Sequence, residues 1–571
     1  MLSVIFIWFY MAATAFLLGY GILTGLSSFV SYRVKRWDGY VICGLAGATV
    51  YAQFFSIFAP VGLAANLLLI AICLFIAFLC RKRLREGWKL LRAEWRAEGK
   101  ASGGKIPAKG FLLLFLFLLY AYGTSRGVLH YDTALYHAQS IRWIEEYGIV
   151  KGLGNLHCRL AYNSASFALS ALYGMAFLGG QSYHCAAGFL AFILALVCLG
   201  PGDAVRRKRL RPSDFARVAC VYYLFIIYDE MISPASDYFM VLTAFYLVIR
   251  WMDLMEEKEK EIFPYAMLCV LGVFLMTVKL SAALIILLVC SPAAALLREK
   301  RWKETAVYTG LGLLTAAPFL IRNVLLSGWL VYPFTGLDLF RVDWKIPEGI
   351  AAYDAKEIRV WGRGYSDVAK FDMPAGEWFP AWFRGLGGMD RLLVCAAMLS
   401  AAVFVLRLAL WLVRREKEKA GSLFLEGVVS LCFLFWLFSS PLIRYGCVYV
   451  YLTTAVVWGD VCTEFFENGR RNGWKAGRYA EQACMLLICL FLLYKAAAFG
   501  KEIVVSYVDD YWLCQKDYDN YETKGYEISG IRFYCPVEGD RVGYESFPSS
   551  PAQARIRLRG DGIGDGFRYL E

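Results

Sequence analysis

About fourteen apolar runs of near membrane length punctuate this chain, and they limit its fold more than any motif does. They lie near residues 4–25, 39–59, 61–80, 108–124, 183–200, 216–230, 237–253, 263–278, 281–297, 305–323, 391–413, 422–439, 445–463 and 479–499. A segment crossing ~30 Å of hydrocarbon must pair every backbone amide within itself, which makes helix the natural form for such runs. The expected fold is therefore an all-α polytopic membrane protein. Composition agrees: 59% of the 571 residues are hydrophobic and 19% are charged, against roughly half and a quarter in a soluble domain.

The net charge of +12 would suit a nucleic-acid partner, but the basic residues sit in short blocks between apolar runs. Such blocks occur at 31–37, 81–110, 206–217, 298–303, 414–419 and 470–478. Counting helices puts them all on one side, which the positive-inside rule makes cytoplasmic. This excludes nucleic acid as the favoured partner and places both termini outside. The first 26 residues have no basic leader region and read as a retained membrane helix. Most of the 17 cysteines fall inside apolar runs, where a thiol behaves as a small hydrophobe. Cys514 and Cys535 lie in a polar tail instead, and a disulfide between them stays open.

The outward face then collects residues 125–182, the turns near 228–238 and 277–281, the stretch 324–390, the turn 439–446 and the tail from 500. All four histidines fall between His130 and His184, and His130 and His137 flank Asp132. After Asp132, the residues Leu135, Ala138, Ile141 and Ile144 recur at helical spacing. That pattern predicts an amphipathic helix on the membrane surface, with a second short helix at 164–178. Asp132 and Asp237 each stand at a helix start, where a capping role worth ~1 kcal/mol competes with a chemical one. Lys279 interrupts an apolar run, Arg322 ends one, and Arg444 sits in "SSPLIRYG". Fixed cations of this kind suit a phosphate, the arginines through a planar fork. His130, His137 and His157 with nearby carboxylates leave a divalent metal open, although no ligand-like spacing such as HxxxH appears. A carboxylate base beside fixed cations would activate a hydroxyl and stabilise a departing phosphate.

Several of these segments resemble the GT-C superfamily of membrane glycosyltransferases. The likeness rests on Asp132 in the first outer loop, the surface helices after it, "PFLIRN…SG…YP" near 318–333, and the Pro-Arg-Tyr-like "SPLIRYG". The stretch "HYDTALYHAQSIRWIEEYGIVKGLGNLHCRLAYNSASF" is similar to a group of bacterial membrane proteins placed near that superfamily. The resemblance implies inverting transfer of a sugar from a polyprenyl-phosphate donor to a glycan, lipid or protein acceptor, on the extracytoplasmic face of a bacterial inner membrane. Carried over by position, Asp132 is the base or an acceptor-binding carboxylate, Asp237 supports it, and His137, or His130, stands in for the second acidic residue. Lys279, Arg322 and Arg444 would hold the lipid phosphate, with His130, His157, Asn163, Asn323 and Tyr445 as further substrate contacts. Many relatives carry paired acidic residues where this chain has Asp132 between Tyr131 and Thr133, which keeps metal dependence open.

The expected organisation is a three-helix extension and basic loop at 1–105, a GT-C-like core at 106–499, and an outer tail at 500–571 with a few strands. Two other functions compete. A surface-polysaccharide polymerase or ligase would lean on the late outer loop at 345–390. A transporter would show broken helices at repeated mid-membrane positions, and no internal repeat is evident.

Overall fold

The computed structural model describes residues 1–30, 32, 34, 36–87, 89, 108–199, 201–414 and 419–570. Much of the basic stretch 81–110 and part of 414–419 lie outside the described residues. Each of the fourteen apolar runs falls on helix, from Leu2–Val30 to Lys475–Val505. Among the described residues, eight helices are long and apolar enough to cross a membrane. A ninth joins them if Leu63–Leu79 and Arg81–Gly87, bent by 77°, form one broken span. The shorter apolar helices, such as Ile262–Val278, reach only ~26 Å at 1.5 Å per residue, somewhat short of the hydrocarbon thickness. The chain is thus a largely helical protein with several membrane-length helices.

The described chain divides into two compact units. Unit 1 comprises Met1–Leu196, Ile227–Ala235 and Val508–Glu571, and unit 2 comprises Val197–Ile226 and Ser236–Tyr507. The first three helices are grouped in unit 1 with residues 125–182 and the tail.

In unit 1, Leu2–Val30 and Trp37–Ser56 cross at backbone contact. An added Cβ at Gly19 would strike the Tyr40 carbonyl, and one at Gly44 the Ala15 carbonyl. Small residues at such a crossing are how apolar helices gain van der Waals contact without help from the hydrophobic effect. The helix at Leu2 opens with backbone amides that have no partner within the helix. Tail carbonyls supply two of them: Leu2 N–H donates to Trp512 (2.9 Å) and Ser3 N–H to Leu513 (3.0 Å). The tail itself holds two antiparallel hairpins, β1 (Thr523–Ile528) with β2 (Ile531–Pro536), and β3 (Ile556–Leu558) with β4 (Phe567–Tyr569). Ser529 and Gly530, both at positive φ, make the two-residue turn between β1 and β2. Phe533 and Phe567 are fully buried between the hairpins. Cys514 and Cys535 are both free thiols, one exposed and one buried in β2, so the disulfide left open by the sequence is not formed.

In unit 2, Ser236–Glu256 is enclosed, packing against Pro212–Ile226, Ile262–Val278 and Ile443–Arg471. Lys475–Val505 is at the other extreme, its apolar surface lying open. Charges buried near the basic-loop ends of these helices are paired. Asp253 takes Arg217 and Arg250 at 2.5 Å each. Arg407 faces Glu426, Asp460 and Glu464 at 3.0–3.2 Å.

Candidate active site

The helix carrying Asp132 is unusual in its hydrogen bonding. It opens at Tyr131, runs as π-helix from Thr133 to His137, and continues as α-helix over Ala138–Tyr147. Single π turns widen the backbone ladder and recur at functional positions. Asp132 does not cap this helix through its side chain. His130 does, because its Nδ1 accepts from the Asp132 N–H at 3.1 Å. Its ring lies 3.9 Å from the Asp132 carboxylate.

Around Asp132 the outer loop supplies a second shell of polar groups. His137 is buried in the π turn, within 3.4 Å of Thr133 Oγ1, and its ring stacks toward His130 with centroids 6.4 Å apart. Thr133 Oγ1 in turn meets Ser233 Oγ at 2.6 Å. Asn163 is buried with φ of +45°, a left-handed conformation that asparagine tolerates better than most residues. Burial pushes the His157 imidazole down to about 3, and the neighbouring Arg159 adds to that effect. Arg159 was not foreseen from the sequence. Burial opposes its charge, but Tyr162, Cys158, Asp132 and Tyr136 around it hold its pKa above the ordinary value. Unit 1 therefore brings His130, His137 and the Arg159 guanidinium into the surroundings of Asp132.

The helix predicted as amphipathic does not leave its polar side open. Its polar side is covered by the tail. Gln139 Nε2 donates to the carbonyls of Gly543 (2.9 Å) and Ser546 (3.0 Å). Arg142 donates to those of Tyr544 (2.7 Å) and Glu545 (2.8 Å). Glu145 accepts from Ser182 and from the Tyr544 hydroxyl at 2.6 Å each, and burial pushes its pKa up to about 7. The 164–178 segment is likewise interior: Ala165–Tyr173 is buried along its whole length and capped by Ser164.

Unit 2 holds the other expected residues. Asp237 lies in the first turn of Ser236–Glu256 and forms an ion pair with Lys279. Lys279 stands in extended backbone where Ile262–Val278 gives way to the 3-10 helix Leu280–Val289, and its ammonium lies 4.3 Å from the Tyr445 ring centre. Arg444 covers the same ring at 5.2 Å. Arg322 is 3% exposed inside Trp302–Ser327, one turn after Pro318. Asn323 ties down the following turn through the Leu330 carbonyl at 3.0 Å.

Arg444 also lines a cavity of about 680 Å³, together with Arg363, Tyr365, Trp382, Pro441 and Leu442. Among the described residues no acidic side chain lines it. Trp382 fixes one wall by donating to the Pro441 carbonyl at 3.0 Å. Arg363 is 7% exposed and rests over the Trp378 ring. One of its nitrogens donates to the Phe371 carbonyl at 2.8 Å, while its buried Nε has no partner among the described residues. Burial, then the nearby Arg359, lowers its pKa. Sequence reasoning missed Arg363, whose place between Gly362 and Gly364 in "RVWGRGY" was the available signal. Among the described residues no group of three or more His, Cys, Asp or Glu side chains is gathered as a metal site.

The architecture and its two polar clusters define a helical protein with membrane-length helices, consistent with an integral membrane protein. The chain belongs to the DUF8201 family, a domain of unknown function, which matches residues 1–451. No curated protein and no solved structure matches it.

Proposed function

We propose that this protein is a membrane glycosyltransferase of GT-C type. It would take a sugar from a polyprenyl-phosphate donor and pass it to an acceptor hydroxyl on the extracytoplasmic face. The observation that carries the reading is the cavity walled by Arg363 and Arg444, which offers two guanidinium groups, aromatic walls and no lining carboxylate. Such a lining suits a phosphate joined to an apolar tail. In unit 1, Asp132 has the chemistry of a general base, with the His130 ring nitrogen 3.9 Å from its carboxylate.

In the proposed step Asp132 accepts the proton of the acceptor hydroxyl. The acceptor oxygen forms a bond to C1 of the sugar as the bond from C1 to the phosphate oxygen breaks. The electron pair leaves with polyprenyl phosphate. No step is routed through a metal. The Lys279–Asp237 pair is then a support for Tyr445 and the Arg444 turn. All fourteen helical runs crossing the membrane would fit this class, and the sugar would be supplied outside the reach of cytoplasmic nucleotides.

The test is transfer from polyprenyl-phosphate sugars to envelope acceptors in reconstituted vesicles. Asp132→Asn should abolish turnover with insertion intact, and Arg444→Ala should raise KM for the donor about tenfold or more, from loss of a charge-assisted contact. Full activity in Asp132→Asn would refute the assignment. Activity lost only when residues 345–390 are deleted would favour the polymerase reading.

A further inference from the structure

The tail reaches the start of the Asp132 helix as well as its polar side. Inside the π turn, the Ala134 carbonyl accepts from two tail amides, Val542 N–H at 3.0 Å and Gly543 N–H at 2.9 Å. A π turn displaces a carbonyl from the regular ladder, and here that acceptor is satisfied from more than 400 residues away in sequence. One residue before Asp132, the Tyr131 hydroxyl donates to Asp540, and the Arg541 guanidinium lies 4.9 Å from the Tyr131 ring centre. The other face of that guanidinium meets Tyr521, ring centre 4.7 Å away, and its Nη1 donates to the Tyr521 hydroxyl at 3.2 Å. Tyr131 feels Asp540, Arg541 and Asp132 together. None of these tail residues lies within the matched family domain, which ends at residue 451.

We propose that residues 508–571 are a working part of the Asp132 site. The tail holds the π turn of the site's helix, and Arg541 is a positioning residue that acts on Asp132 through Tyr131. The inference rests on Asp132 being the reactive carboxylate, but its test does not need the transfer reaction.

Full-length protein in lipid nanodiscs is treated with a carbodiimide and glycinamide, and labelling of Asp132 is read by peptide mass spectrometry beside amide exchange over 131–139. Arg541→Ala should change Asp132 labelling at least fivefold and speed exchange over 131–139 at least tenfold, with exchange in β1 and β2 unchanged. Arg541→Lys should restore most of the labelling. Labelling within twofold of the wild type in Arg541→Ala overturns the proposal, even if exchange rises, because the tail would then only stabilise the helix. If Arg541→Ala does not fold, Tyr131→Phe, which keeps the ring and loses the bond to Asp540, carries the same expectations. A wild-type protein without transferase activity would sink the functional reading and leave this measurement standing.

Discussion

Glu145 makes the attachment of the tail to the outer helix depend on pH. Its carboxyl is buried between Ser182 and Tyr544, and its pKa rises from the ordinary 4.5 to about 7. An acid with a raised folded-state pKa binds its proton more tightly when folded, so stability is greatest below 4.5 and is lost as pH climbs through about 7. The gap corresponds to ~3 kcal/mol at 1.36 kcal/mol per pH unit, or ~300-fold in the constant for opening the tail before any discount for solvent. His157 and His184 titrate in the opposite sense, pushed by burial down to about 3 and about 4. They favour the folded state as pH rises toward 6.5, so the measurement must compare two proteins at each pH. Glu145→Gln keeps the shape and one acceptor oxygen but cannot ionise. Amide exchange at 138–147 and 542–546 should be similar in the two proteins at pH 5. At pH 8 the wild type should open ~30–100-fold more readily than Glu145→Gln, allowing for partial solvent access. Parallel pH dependence in both proteins would refute the assignment of this carboxyl as the titrating group.

Two further outcomes follow from unit 2. Lys279→Ala leaves the Asp237 carboxylate buried without its cation and should cost about 3 kcal/mol, whereas Lys279→Ala with Asp237→Ala should cost clearly less than the two single changes added; additivity in a chemical-unfolding cycle would contradict a coupled pair. Gly446→Ala drives a Cβ into the Trp436 indole, which is itself held by the Leu442 carbonyl at 2.9 Å. It should lower the thermal midpoint by several degrees, from a clash costing about 1–3 kcal/mol, and an unchanged midpoint would count against that packing.

The helices were legible because lipid imposes one solution on a long apolar run, whatever the rest of the fold does. The identity of polar residues near Asp132 was legible for the same reason, since they stood out against a greasy background. What each of them does was not. Gln139, Arg142 and Glu145 read as a wetted helix face because amphipathic periodicity reports only that a face is polar, and their partners arrive from positions 543–546. Asp237 and Lys279 were each read alone, although 42 residues apart they neutralise one another. No local pattern announces a π turn, so the role of His130 in capping it was out of reach. Arg159 and Arg363 both lay inside quoted segments, overlooked because histidine and tryptophan nearby seemed the more telling residues.

The bonds from Leu2 and Ser3 to Trp512 and Leu513 have a consequence for biogenesis. Joining positions some 510 apart means that the opening turn of Leu2–Val30 waits until the chain as far as Leu513 has been made. Until then its first amides have only water or lipid headgroups as partners. A translocation machinery that releases this helix sooner must tolerate an unfinished end, and synthesis stalled short of Trp512 would leave this turn and the covering of the Asp132 helix unfinished together.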